Sequence, residues 1–442
     1  MDCNMNKTKR WLLSPEVLIW FQIYYNIFVK FFIHDLGLPS ALNYVTDVIT
    51  LLMICHLLNR LHFHHNIELH LLLIILLMII YIAGGIISVF YNRSELLLLL
   101  WSIRNVGRFF VWFICVAVFM KPDNLEKHFR VMERIMVINF FLMLFQYIFL
   151  GYRSDYLNGI FGHYVGGNSA VNTFAVILTI ENVAYFFLRK RKIKEISLNI
   201  FFLCISCALN EIKFYFVELV VIVLTMVIFQ LKRRMKRRIA GICISLFAFA
   251  NASAVAGYQI LSVFYPGFKN FFQKDVFFNY LTRSYNSHTV IYHNGIPVMN
   301  RFTAFGIIKN NFLETMFQQA FGIGMGAGDY SSFFGGWFYQ QYGETAYNGF
   351  LFPYILLENG IIGLFIFITI YLYIIYISTK KYNKKIYQEY ALISGTTAVL
   401  GLMICIYNSA LRIESSGYLF YTVLALTFIK FSKGTYYAKT NH

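Results

Sequence analysis

The side chains best suited to acid–base or anion chemistry gather in one polar interval, Gln259 to Asn348, which holds Arg283, His288, His293, Arg301, Glu344 and the pair Tyr347–Asn348. Guanidinium groups grip a diphosphate through two parallel hydrogen bonds, and an ammonium group serves it as a point charge. By position Glu344 is the leading general base, with His288 and His293 as alternatives that titrate near neutral pH. Further cations lie on the same predicted side of the chain: Arg153, Lys213, and Arg104 with Arg108, four apart and so on one helical face. As a set these suit a diphosphate. One by one, each also has a plain reading as a lipid-headgroup contact or a snorkelling side chain.

Lys213 ends the run Leu209–Asn210–Glu211–Ile212–Lys213, which joins two apolar stretches with almost no connector. Ionisable groups at such a depth usually face a bundle interior or a cavity, although Glu211 and Lys213 can also simply neutralise one another. Arg104 and Arg108 line the same pocket or pair with Glu181, Glu211 or Glu218. The segment Gly322–Ile323–Gly324–Met325–Gly326–Ala327–Gly328 departs from the dinucleotide fingerprint in spacing and has no strand before it. It is either a turn whose N–H groups face an anion or a flexible joint. There is no Asp-x-Asp, no His-Glu-x-x-His and no Ser/His/Asp order, so the expected chemistry needs neither metal nor cofactor. The Cys204-x-x-Cys207 pair lies inside an apolar run and is read as packing. His62, His64 and His65 fall away from the candidate site.

The elements that must position these groups are membrane helices. Of the 442 residues 58% are hydrophobic and 13% charged, with a mean hydropathy of +0.59. Soluble chains carry about 25% charge. A hydrocarbon core takes about 20 apolar residues per helix, and candidate spans fall at 15–33, 39–58, 67–90, 96–120, 131–150, 168–188, 195–211, 213–231, 239–258, 346–377, 388–408 and 415–431. The expected fold is an all-α polytopic membrane protein of about twelve transmembrane helices. Residues 1–258 form a nine-helix part, 259–345 a large loop and 346–442 a three-helix part with a tail. Within the loop, the apolar spacing of Phe305, Ile308, Phe312, Met316 and Ala320 predicts an amphipathic helix over 301–320. The first apolar run has a basic start but no small-residue cleavage site, so it reads as a retained span.

The formal charge of +17 follows topology, which argues against a nucleic-acid partner. With the N-terminus inside, roughly 26 of the 38 Lys and Arg residues face the cytoplasm, as the positive-inside rule requires. Both termini are then cytoplasmic and the large loop is extracytoplasmic.

In its overall twelve-span plan, and most specifically from Arg301 to Leu364, the chain resembles the O-antigen polymerase and O-antigen ligase superfamily of GT-C-like bacterial membrane glycosyltransferases. Arg301–Phe302, an amphipathic helix and Phe321–Gly322–Ile323–Gly324 are similar to the family's Arg-helix-Gly-x-Gly pattern. Tyr347–Asn348 and Leu356–Leu357–Glu358–Asn359–Gly360–Ile361–Ile362–Gly363–Leu364 are similar to its following span. The Glu211–Ile212–Lys213 turn stands where ligases tend to carry a Ser-Arg pair, and Arg153 and Arg283 fall in the two loops where polymerases carry functional arginines. Tyr347 stands where ligases have their expected catalytic His. The loose Arg-ten-Gly motif of polymerases is not met, because Arg153 reaches Gly162 after eight residues and Arg283 reaches Gly295 after eleven.

The resemblance implies a plasma-membrane (inner-membrane) enzyme that takes glycan from undecaprenyl diphosphate: a repeat-unit polymerase, or alternatively a ligase. A lipid-linked oligosaccharide flippase is the reading of a different class. The implied partners are undecaprenyl-diphosphate-linked glycans and the bilayer, and the reaction admits a chain-length regulator.

Overall fold

The computed structural model describes residues 14–63, 68–231, 292–331, 333 and 335–429. The candidates Arg283 and His288, the expected span 239–258 and the tail lie outside them. The described residues are a helical bundle, in order α1 (Pro15–His34), α2 (Val45–Phe63), α3 (Leu69–Asn92), α4 (Leu96–Phe119), α5 (Leu125–Phe149), α6 (Asn168–Phe187), α7 (Ile193–Leu209) and α8 (Phe214–Leu231). A two-residue hairpin follows, Tyr292–His293 against Ile296–Pro297, then the short helices α9 (Ala304–Phe312), α10 (Met316–Phe321) and α11 (Trp337–Tyr342), and finally α12 (Leu351–Asn383), α13 (Gln388–Tyr407) and α14 (Glu414–Leu424).

Among the described residues nine helices are long and apolar enough to cross a membrane. Of the other expected spans, 239–258 lies outside the described residues, and two are shorter helices. α7 has only 17 residues. The last apolar run is an 11-residue helix that tightens into a 3-10 turn over Ala425–Phe428.

Lipid-facing character is visible in the exposure of the helices. α3 presents Leu69, Leu72, Leu76 and Ile79 outward while Leu71, Ile74 and Met78 are buried. α6 is buried along almost its whole length and forms the centre. α12 packs along α13 on one side and α3 on the other. It is broken at Gly360, whose φ of +64° lies in the left-handed region. A Cβ there would come within 2.4 Å of the Ala320 backbone, so the break lets the end of α10 approach the helix axis.

The bundle has two chemically distinct ends. At one, Lys190 pairs with Glu389, Lys381 with Glu68 (3.0 Å), and the Tyr390 hydroxyl bonds to the carbonyl of Pro122 (3.2 Å). The basic clusters of three connectors thus meet there. At the other, the described residues of 292–349 cover the ends of α3, α4, α12 and α13. We refer to this as the loop end.

The expected single amphipathic helix over 301–320 is in fact two helices. Phe312 is buried at the end of the first, but the chain leaves helical geometry at Leu313, Thr315 starts a new helix, and Met316, expected on the apolar stripe, is 90% exposed. Its hydroxyl accepts from the Gln318 N–H (3.1 Å), and the Gln318 side-chain oxygen accepts from the N–H groups of Thr315 (3.1 Å) and Glu314 (3.0 Å). This capping box satisfies donors that an uninterrupted helix would have bonded internally.

Candidate functional site

The glycine-rich segment after α10 is neither a nucleotide loop nor a loose joint. It threads between α3, α4 and α12. Gly322 has φ +81° and Gly326 φ +89°, and a Cβ at either would lie 2.3 Å from backbone atoms of Glu358 or Leu98. Only glycine permits both the turn and the approach. Ser88 and Asn92 donate to the Gly322 carbonyl (2.7 and 3.1 Å), and Ser94 donates to the carbonyl of Ile323 (2.8 Å). The N–H groups of the segment face a carboxyl group of the protein itself: the Gly326 N–H donates to the carboxyl of Glu358 (2.9 Å), which also accepts from Tyr354 (2.5 Å).

Next to this turn lies a polar centre built from residues distant in sequence. Asp329 accepts from Arg412 (2.9 Å), from the Asn105 amide (2.8 Å) and from the Tyr330 N–H (3.1 Å). The Arg412 guanidinium lies 3.7 Å from the centroid of the Tyr354 ring. Burial by itself would lower the pKa of Arg412. The surrounding Tyr354, Asp329 and Glu358 outweigh it and hold the group above its ordinary value, fixing the positive charge. A cavity of about 30 Å³ lies between Asn105, Tyr354, Glu358 and Arg412. That is room for about two waters, too little for a sugar or a lipid headgroup, so this centre is a scaffold for the loop end.

The cations singled out by sequence divide into two kinds. Arg104, which keeps about a quarter of its side chain accessible, and the buried Arg108 are each neutralised by an acid, and their partners are not Glu181, Glu211 or Glu218. Arg104 binds Asp47 of α2 (2.5 Å), and Arg108 binds Glu414 at the start of α14 (2.7 Å). Glu181 instead holds Arg191 at the far end (2.7 Å). Arg153 is exposed and folds back on its own loop. It donates to the carbonyls of Tyr147 (2.6 Å) and Tyr152 (2.8 Å) and lies 3.7 Å from the centroid of the Tyr147 ring.

Arg301 is different. Its guanidinium rests on the Tyr407 ring (4.0 Å to the centroid) and makes no ion pair among the described residues. The Tyr407 ring also stacks on Phe214, with centroids 3.8 Å apart and planes 1° from parallel. Lys213 immediately precedes Phe214, in a turn fixed by Glu211 at φ +54° and an Ile212 N–H bond to Cys207 (2.8 Å). One aromatic pair therefore links Arg301, on Tyr407, to Phe214, the residue that follows Lys213.

Two candidate bases also meet. His293 Nδ1 lies 2.6 Å from the Glu344 carboxylate. The hairpin turn at Asn294–Gly295, with φ +49° and +78°, presents the ring, and Asn294 is tied to the Gln341 carbonyl (2.7 Å). The Met299 N–H donates to the Thr345 carbonyl (2.8 Å), which holds the chain leading to Arg301 beside the turn carrying Glu344.

Tyr347 serves packing. It is fully buried, and its hydroxyl donates to the Gly328 carbonyl (2.6 Å). Burial, then the nearby carboxyls of Glu358 and Asp329, push the phenol well above its ordinary pKa. It remains protonated at neutral pH and cannot serve as a base there.

Two polar anchors of this region, Asp329 and Glu358, carry little signal in the sequence. Asp329 gave only the signal of a lone acid directly after the glycine run. Glu358 gave a stronger one, an ionisable group inside an apolar span. Among the described residues no group of His, Cys, Asp and Glu is arranged to hold a metal. No protein-family model matches the chain, and no curated protein matches it in sequence.

Proposed function

We propose that the chain is a membrane glycosyltransferase that polymerises undecaprenyl-diphosphate-linked oligosaccharide repeat units of a bacterial surface polysaccharide, either O-antigen or capsule. The observation that carries this is the Arg301 guanidinium held on the Tyr407–Phe214 stack, in which Phe214 directly follows Lys213, together with the His293–Glu344 pair at the same loop end. A guanidinium with no ion pair among the described residues, held on an aromatic face at one end of a bundle of apolar helices, suits a diphosphate whose lipid tail lies in the bilayer.

In the proposed reaction a hydroxyl of the incoming lipid-linked repeat attacks the anomeric carbon of the growing chain. The new glycosidic bond forms as the bond from that carbon to the diphosphate oxygen breaks. The hydroxyl proton passes to His293, which Glu344 orients, by the logic of a base and its aligning carboxylate. Arg301 and Lys213 stabilise the charge that develops on the departing undecaprenyl diphosphate. The loop end is then extracytoplasmic and the basic end cytoplasmic, in line with the positive-inside rule.

The ligase alternative is less favoured. The position where the resemblance expects the ligase's catalytic His carries Tyr347, buried and bonded to Gly328.

The test is the surface-glycan profile of a strain lacking the gene, complemented with wild type or Arg301→Ala. Polymerisation predicts single-repeat glycan in the deletion, a ladder with wild type, and no ladder with Arg301→Ala at normal abundance. Full-length polymer stranded on its lipid carrier in the deletion would instead point to ligation. Single repeats that fail to reach the outer leaflet would point to a flippase.

A further inference from the structure

Beside the cationic site the loop end carries a second surface with a different chemistry. Tyr44, Tyr330 and Phe333 are exposed by 41%, 55% and 65%, and they belong to one connected cluster. Phe333 lies 6.2 Å edge-on from Trp101 and 6.4 Å from Tyr44. The Trp101 indole N–H donates to the Tyr330 carbonyl (3.2 Å), and the Tyr330 ring meets that of Tyr339 at 4.6 Å. The Arg104 guanidinium sits beneath, 4.6 Å from the Trp101 ring and 5.8 Å from that of Tyr44.

A chain of polar groups runs inward from the same place: Asp47 to Arg104, Arg104 to the Asn105 side-chain oxygen (2.9 Å), Asn105 to Asp329 (2.8 Å) and Asp329 to Arg412. About a quarter of the Arg104 and Asp47 side chains remains accessible.

Exposed rings set around an accessible carboxylate and guanidinium match one class of ligand well. The C–H faces of a pyranose pack on aromatic rings, and its hydroxyls bond in the plane to carboxylate and guanidinium groups. A bilayer-facing aromatic belt has no need of such a paired, hydrogen-bonded floor. We infer that the surface formed by Tyr44, Trp101 and Tyr330 over the Arg104–Asp47 pair is a sugar-binding subsite that holds the glycan of the lipid-linked substrate. The proposal rests on the polymerase reading for the identity of that glycan. For the existence of the subsite it rests on the surface itself.

The experiment uses full-length protein in detergent and three probes: the free repeat-unit oligosaccharide, undecaprenyl diphosphate, and the repeat unit linked to undecaprenyl diphosphate. The proteins are wild type, Tyr330→Ala, Tyr44→Ala, the ring-retaining Tyr330→Phe, and Arg301→Ala. The subsite predicts that Tyr330→Ala and Tyr44→Ala weaken the oligosaccharide and the linked repeat by about tenfold. Binding of bare undecaprenyl diphosphate should be unchanged, and Tyr330→Phe should bind as wild type. Oligosaccharide binding that is absent in wild type, or equal in wild type and both alanine variants, overturns the subsite. The lipid-diphosphate assignment has its own readout, the loss of bare-lipid binding in Arg301→Ala, so it can fail while the sugar subsite stands.

Discussion

Replacing Asp329 by Ala should destabilise the protein chiefly through what it strands. Three partners lose their acceptor: Arg412 at 2.9 Å, Asn105 at 2.8 Å and the Tyr330 N–H at 3.1 Å. Removing one member of a buried ion pair costs about 3–5 kcal/mol, because the survivor is left uncompensated. The Arg412 side chain is 20% exposed and that of Asp329 9%, and the cation keeps its place on the Tyr354 ring, so the lower end applies to the pair. An unsatisfied Asn105 amide adds about 1 kcal/mol, giving about 4 kcal/mol in all. Arg412→Met leaves Asp329 with two of its three donors and should cost about 2–3 kcal/mol. The double variant strands neither charge. It should fall short of the sum of the single losses by about 2–3 kcal/mol. The assay is a double-mutant cycle on unfolding by SDS in mixed micelles. Single-variant losses that add to within about 0.5 kcal/mol would refute the claim that this pair is a coupled structural anchor.

Other consequences follow from the same geometry. Gly322→Ala should abolish detergent-stable protein, because the new Cβ meets the Glu358 backbone at 2.3 Å. Gly306→Ala, with nothing within 4 Å, should leave yield and elution by size-exclusion chromatography unchanged. Thr315→Ala removes the cap of α10 and should cost about 1 kcal/mol, seen as faster amide exchange at Gln318 and Gln319 with the membrane helices unaffected. Asp35, after α1, has its carboxyl raised above its ordinary pKa by burial, which outweighs the His163 N–H it accepts (2.8 Å). A raised acid favours the folded state when protonated, so its contribution declines as pH rises through the folded value. Asp35→Asn should therefore flatten the pH dependence of thermal stability above about pH 4, measured by melting in detergent between acid and neutral pH.

The helices were legible because membrane burial writes itself into composition. α3, expected at 67–90, is Leu69–Asn92, and α4, expected at 96–120, is Leu96–Phe119. The ends moved where capping rather than hydropathy decides, as at Arg93, which closes α3 at φ +53°. Thr315 and Gln318 did spell a capping box, but the apolar spacing in the sequence runs on past both and masks it. The ion pairs were not legible. Arg104 meets Asp47 57 residues away, and Arg108 meets Glu414 306 residues away; nothing local distinguishes those acids from others. Of the site candidates, Arg301 with Lys213 and His293 with Glu344 were named from residue type and position alone. That Tyr407 and Phe214 would link Arg301 to the residue after Lys213 depends on how α8 packs beside α13, which no spacing encodes. Tyr347 stands at a meaningful position, but only burial shows that its hydroxyl is committed to Gly328.

The most direct test of the central claim uses purified protein in proteoliposomes, supplied only with the undecaprenyl-diphosphate-linked repeat unit. We predict a ladder of lipid-linked oligomers, with one undecaprenyl diphosphate released for each bond formed, and loss of both products in Arg301→Ala. Wild-type protein that binds the substrate yet forms no oligomer and releases no undecaprenyl diphosphate would contradict it.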